Sequence, residues 1–118
     1  MFYKTYTNVM GKSFLGEFEE LILTMVMYLG DEAYGNTIVK AIKEHQDRDV
    51  NLSAVHVTLY RLEEKGYVKS FMGGATAERG GRRKRYFQIT NTGTAMLREI
   101  KSSRTKMWNL IPQLNFSS

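Results

Sequence analysis

Arg79-Gly80-Gly81-Arg82-Arg83-Lys84-Arg85-Tyr86-Phe87-Gln88-Ile89-Thr90 decides the reading of this chain. Five of its first seven residues are cationic and two are glycine, which lets a backbone turn tightly. From Tyr86 onward the residues alternate as in a strand, with Phe87 and Ile89 on one side and Tyr86, Gln88 and Thr90 on the other. The stretch reads as the cationic tip of a hairpin running into its returning strand, built to touch phosphate. A solvated charged loop is the competing reading, and the residues around it weigh between the two.

Immediately upstream, Tyr67-Val68-Lys69-Ser70-Phe71-Met72 has the pattern of the outgoing strand, Gly73 to Lys84 forms the loop, and Arg85 to Thr90 returns. Before that hairpin lies the best delimited helix of the chain. Ser53 is a good N-cap and Gly66 a good C-terminal stop. Between them Val55, Leu59 and Leu62 form a core stripe, while Ser53, Val57, Tyr60, Arg61 and Glu64 lie opposite and His56 lies on the flank. Two further helices precede it. The first, about Leu15 to Leu29, has Glu17, Glu19 and Glu20 in its first turn, where the helix dipole favours anions, and Gly30 as its stop. Phe18, Ile22, Met25, Val26 and Leu29 form its apolar face, and Leu23 and Met27 form a second one. Asp31 to Gly35 reads as a turn, and the second helix then runs to about Gln46 with Ile38, Ala41 and Ile42 facing inward. Val50-Asn51-Leu52 reads as one very short strand.

Downstream, a fourth helix begins near Thr90 or Asn91. Leu97, Ile100, Arg104, Met107, Ile111 and Leu114 are spaced alternately three and four apart, a heptad seam with one cation in it. Pro112 should end or kink this helix near Ile111. A buried lone arginine is costly, so Arg104 is expected at the rim of the seam or paired with a carboxylate.

Composition narrows the function. The 118 residues suit one domain, and 42% hydrophobic residues can fill a core. There is no apolar run long enough to span a membrane, and the start, Met1-Phe2-Tyr3-Lys4-Thr5-Tyr6, lacks the apolar block of a signal peptide. The absence of cysteine excludes disulfides and thiolate zinc sites and fits a reducing cytoplasm, the expected location. His45 and His56 have no carboxylate cluster beside them, so no metal and no cofactor is expected. Net charge is +5, and it is unevenly placed: residues 1–59 carry 5 basic and 8 acidic side chains, residues 60–118 carry 12 and 4. A cationic second half points to a polyanion, most simply double-stranded DNA. No nucleophile–base pair, phosphate-cradling glycine loop before a helix or paired carboxylates occur, which argues against an enzyme.

Three helices followed by a basic β-hairpin make a mainly α winged helix-turn-helix, here with a C-terminal helix added. Its domains are expected as an aromatic-rich N-terminal arm over 1–14, the winged helix-turn-helix over 15–90 and a dimerisation helix over 91–118. The third helix of such a fold offers its exposed face to the major groove. Ser53, His56, Val57, Tyr60 and Arg61 are therefore candidate DNA contacts, joined by Arg82, Arg83 and Lys84 of the wing. Leu23, Met27, Leu97, Ile100, Arg104, Met107, Trp108 and Ile111 are candidates for a dimer interface or for a cleft at it. Trp108 and Met107 could pack between subunits or stack on a planar ligand.

The chain resembles the PadR family of bacterial transcriptional regulators over residues 15–100. The resemblance rests on Leu29-Gly30-Asp31-Glu32-Ala33-Tyr34-Gly35, on Leu59-Tyr60-Arg61-Leu62-Glu63-Glu64-Lys65-Gly66, on Glu78 to Phe87 and on Ile89-Thr90-Asn91-Thr92-Gly93. It implies a homodimeric repressor that dimerises through its C-terminal helix. In some members a small apolar or aromatic effector relieves repression. The single helix after the wing resembles the smaller subclass. His56 departs from the family pattern, which commonly has tyrosine there. Two competing functions remain beside the DNA-binding repressor: a ligand sensor centred on the dimer cleft, and a winged helix used for protein contact. The polar, cationic face of the third helix argues against the last.

Overall fold

A computed structural model describes residues 15–73 and 83–114. The chain runs α1 (Glu17–Leu29), a 3-10 turn (Gly30–Glu32), α2 (Gly35–Gln46), α3 (Leu52–Glu64), β1 (Val68–Gly73), β2 (Lys84–Ile89), α4 (Asn91–Trp108) and a last 3-10 turn (Pro112–Leu114). The strands pair antiparallel from Val68 opposite Ile89 to Gly73 opposite Lys84. Three helices, a hairpin and a trailing helix form the winged helix-turn-helix expected from the sequence. The N-terminal arm, the loop tip with Arg79 to Arg82, and residues 115–118 lie outside the described residues.

The core forms where the apolar faces of α1, α2 and α3 meet the inner face of the hairpin. Ile22, Leu23, Val26, Ile38, Ile42, Val55, Leu59, Leu62 and Phe87 are all fully buried there. Alternation on β2 works as its pattern predicts: Phe87 turns inward, and Tyr86 and Gln88 flank it on the other face. Leu23 corrects an expectation. It belongs wholly to this core and offers no surface to a partner, because α1 is covered on both sides by its own chain. Met27, one turn further, is exposed.

Local chemistry sets the helix ends. Gly66 ends α3 at a φ of +84°, with its N–H bonded to the Glu63 carbonyl and that of Tyr67 to Leu62. This double bond pattern satisfies the last carbonyls and needs a left-handed residue. The start of α3 differs from expectation. Asn51 caps it, its side chain accepting from the Ala54 N–H at 3.1 Å, and Ser53 lies inside the first turn. Two residues with cap chemistry compete at this end, and the α3 start follows the earlier one. Val50 to Leu52 is accordingly not a strand. The third strand position beside the hairpin is filled instead by the turn before α2. Tyr34 bridges Tyr86, and the Phe87 N–H donates to the Ala33 carbonyl at 2.9 Å. Thr90 caps α4, accepting from Gly93 N–H at 3.0 Å and donating to the Gly66 carbonyl at 2.7 Å. The helix ends at Trp108, three residues before the expected limit, and Pro112 opens the last turn.

Three glutamates of the first α1 turn each reach a different part of the chain. Glu17 takes both guanidinium nitrogens of Arg48, Glu19 takes Lys65 at 3.1 Å, and Glu20 takes Arg104. One helix end thus ties together the loop before α3, the end of α3 and the distal part of α4.

Candidate nucleic-acid interface

The core stripe of α3 leaves the opposite face to solvent. Ser53, Val57, Tyr60, Arg61 and Glu64 are all exposed, with Val57 at 54% and Tyr60 at 46%. Exposed apolar atoms on an otherwise polar helix face suit the thymine methyl groups of a major groove, and arginine suits guanine. Arg61 makes no ion pair with any described residue, so its guanidinium is available. Tyr60 leans toward the hairpin, its ring 6.1 Å from that of Phe87, and stacks on His56 at 6.2 Å. It is therefore held at its base and open at its edge.

His56 behaves differently from its neighbours. It is half-buried and pressed against the first residue of α2: a β-carbon built on Gly35 would sit 2.7 Å from its Nε2. Its Nδ1 is buried without a hydrogen-bond partner. The missing side chain at Gly35 lets the imidazole fill the angle between α2 and α3, which fixes the crossing of the two helices. This packing role was not legible in the sequence, since Gly35 and His56 belong to different helices.

The base of the wing lies beside this face. Arg83, Lys84 and Arg85 are exposed at the start of β2. Lys84 is steered by Tyr34: its Nζ lies 4.6 Å from the ring centroid and 3.4 Å from the hydroxyl. Arg85 donates to Ser70 Oγ at 3.1 Å, and Ser70 donates onward to Glu63 Oε2 at 2.8 Å. This relay ties the wing to the end of α3 and gives Glu63 a structural task. Sequence reasoning missed it because the three residues come from three elements. Tyr34, Gly35, Asn36, His56, Lys84 and Arg85 together line a depression of about 160 Å³ between α2, α3 and β2. Arg82 lies outside the described residues.

The second group of candidates gathers on α4. Leu97 packs on the core and Ile100 is half-buried, whereas every described residue from Lys101 to Leu114 is exposed. Met107 and Trp108 are exposed by 59% and 58%. Ile111 and Leu114 are also exposed. Arg104 is exposed and paired: its two terminal guanidinium nitrogens each meet a carboxylate oxygen of Glu20 at 2.6 Å. A groove of about 370 Å³ runs between α1 and α4. Glu20 and Thr24 form one wall, and Leu97, Ile100, Arg104 and Trp108 line the other. No helix among the described residues is long and apolar enough to cross a membrane.

Comparison with known proteins gives this arrangement a family. No curated protein matches the chain in sequence. Among solved structures, it is similar to a PadR-like transcription factor from Bacteroides fragilis, with a TM-score of 0.69 and 22% identity over 84% of this chain and 90% of that one. It is also similar to a PadR family transcription regulator from Clostridium difficile, with a TM-score of 0.67 and 23% identity over 81% and 96% of the two chains. A PadR-like transcriptional regulator from Bacillus cereus matches with a TM-score of 0.67 and 20% identity, over 87% and 95%. At these identities the likeness shows the winged helix-turn-helix fold. The model of the PadR-like family of transcriptional regulators matches residues 22–99, from the core of α1 through the middle of α4, and the chain therefore belongs to that family of DNA-binding regulators.

Proposed function

We propose that the chain is a homodimeric repressor that recognises a near-palindromic operator through α3 and holds the flanking backbone with its basic wing. The observation that supports this reading is that β2, with Lys84 and Arg85 exposed, runs beside α3: Lys84 and Arg85 line one depression with His56, and Phe87 lies against Tyr60, which shares the exposed face with Ser53, Val57 and Arg61. Base edges are read from α3, phosphates are gripped from β2 and the loop tip, and repression follows where the site overlaps a promoter. Exposed apolar residues at the end of α4 and just after it supply the dimer contact: Met107, Trp108, Ile111 and Leu114 are all exposed. Met27 on α1 offers an opposing surface.

The two kinds of contact separate in a salt titration of binding to cognate and random duplexes. Replacing Arg82, Arg83 and Lys84 by alanine should weaken both duplexes alike and lower the salt slope by about one unit per lost phosphate contact. Tyr60→Ala or Arg61→Ala should instead narrow the gap between the duplexes by about 1–3 kcal/mol per lost base contact. Equal weakening by the α3 variants, or an unchanged slope in the wing variant, would refute these assignments.

A further inference from the structure

We infer that Arg104 and Glu20 together form a strut that fixes the tilt of α4, and so sets the half-site spacing that the dimer accepts. The inference rests on the homodimer reading above and adds to it a specificity that no DNA-facing residue carries.

The near end of α4 is firmly seated. Thr90 caps it, Gly93 lies against the Tyr67 carbonyl, and Met96 and Leu97 pack on the core. Beyond Ile100 the helix leaves the body, and its residues are exposed. The Arg104–Glu20 pair spans this gap, across the α1–α4 groove. Among the described residues it is the side-chain hydrogen bond to the body that lies furthest along α4. Its geometry suits a strut rather than a tether. The fork of the guanidinium meets both carboxylate oxygens, which fixes direction as well as distance. Glu20 is itself restrained, with its side chain only 19% exposed.

Leverage makes the tilt matter. An α4 of 18 residues is about 27 Å long, so a swing of about 10° at its seat moves its far end by about 5 Å. One base pair along a strand is about 3.4 Å. In a two-fold dimer joined through α4, both subunits swing, and the separation of the two α3 helices changes by more than one base pair. An unrestrained α4 would therefore accept several spacings, and a strutted one accepts few.

The test uses the full chain and duplexes carrying two copies of its selected half-site, with the spacer lengthened or shortened one base pair at a time. Light scattering and circular dichroism report mass and folding, and a duplex with one half-site reports the intrinsic contact. The unmodified chain should prefer one spacer by about tenfold over its neighbours, within the range of coupling between contacting residues. Arg104→Gln and Glu20→Gln should each flatten that preference to about threefold or less while dimer mass and single-half-site affinity stay unchanged. The double variant should be no flatter than either single one, because the two residues act as one unit. Arg104→Lys keeps the charge without the fork and should fall between, which provides the readout if a glutamine variant does not fold. Folded dimeric variants with the sharp preference of the unmodified chain would overturn the strut alone, as would additive flattening in the double variant. A monomeric unmodified chain would overturn the homodimer reading together with it.

Discussion

A methyl group at position 93 would run into the Tyr67 carbonyl oxygen and lie 2.8 Å from the Ile89 side chain. Helix propensity alone favours alanine over glycine by up to about 1 kcal/mol. The contact with a backbone oxygen reverses the sign, because that atom is fixed by the Thr90 N–H that donates to it at 3.0 Å. Gly93→Ala should therefore destabilise the chain by about 2 kcal/mol, as overpacking does. Urea denaturation checks this, and a gain in stability would show that α4 shifts freely on its seat. Single residues were also where the sequence was least informative. His56 looked like a flank residue of α3 because its spacing is all that a sequence displays. Its neighbour Gly35 lies in α2, and only the folded chain shows that the two side-chain positions share one space. The same holds for Leu23: its periodicity marks a second apolar face, but says nothing about which part of the chain covers it.

At the scale of elements, the four helices and the hairpin were legible from apolar period, glycine stops and the strand alternation around Phe87. Boundaries shifted where two chemically adequate residues stood close together. Asn51 and Ser53 can both cap a helix, and the structure puts the cap bond on Asn51. Asn51→Ala should then cost about 1 kcal/mol of stability, while Ser53→Ala should be near neutral for folding. Paired urea melts decide this, and equal losses would mean that both side chains serve the helix start. The two variants also separate stability from recognition, since Ser53 is on the exposed face of α3. The third strand position was illegible for a different reason. Val50 to Leu52 has β-compatible residues, but a single bridge depends on which backbone lies beside β2. That neighbour is Tyr34, carried there by the turn that the buried Ala33 anchors.

At the scale of the whole molecule, charge organises two opposite tasks. Acidic residues at the start of α1 hold distant elements together, while cations on α3 and β2 stay exposed. Arg48, hydrogen-bonded beside Glu17, holds that carboxyl below the usual carboxylate range. A carboxylate whose folded pKa is depressed stabilises the fold above its unfolded pKa, and that contribution is lost as pH falls through the folded value. Stability should thus decline on acidification below about pH 5, and Glu17→Gln should show a slightly smaller decline. The pair is largely exposed, so solvent screening keeps its share modest. Denaturant melts at neutral and acidic pH report the difference, and a steeper decline in the variant would contradict this assignment. The asymmetry between an acidic and a basic half was plain in the sequence; the division of labour that follows from it required the three glutamates to be seen with their partners.

Selection of duplexes from a random pool by the unmodified chain tests the central claim most directly. Two copies of α3 related by a two-fold axis should enrich a near-palindrome whose half-sites are about one helical turn, roughly 34 Å, apart. Enrichment of a single asymmetric site, or of no sequence at all, would contradict the reading of this chain as a homodimer that recognises DNA through α3.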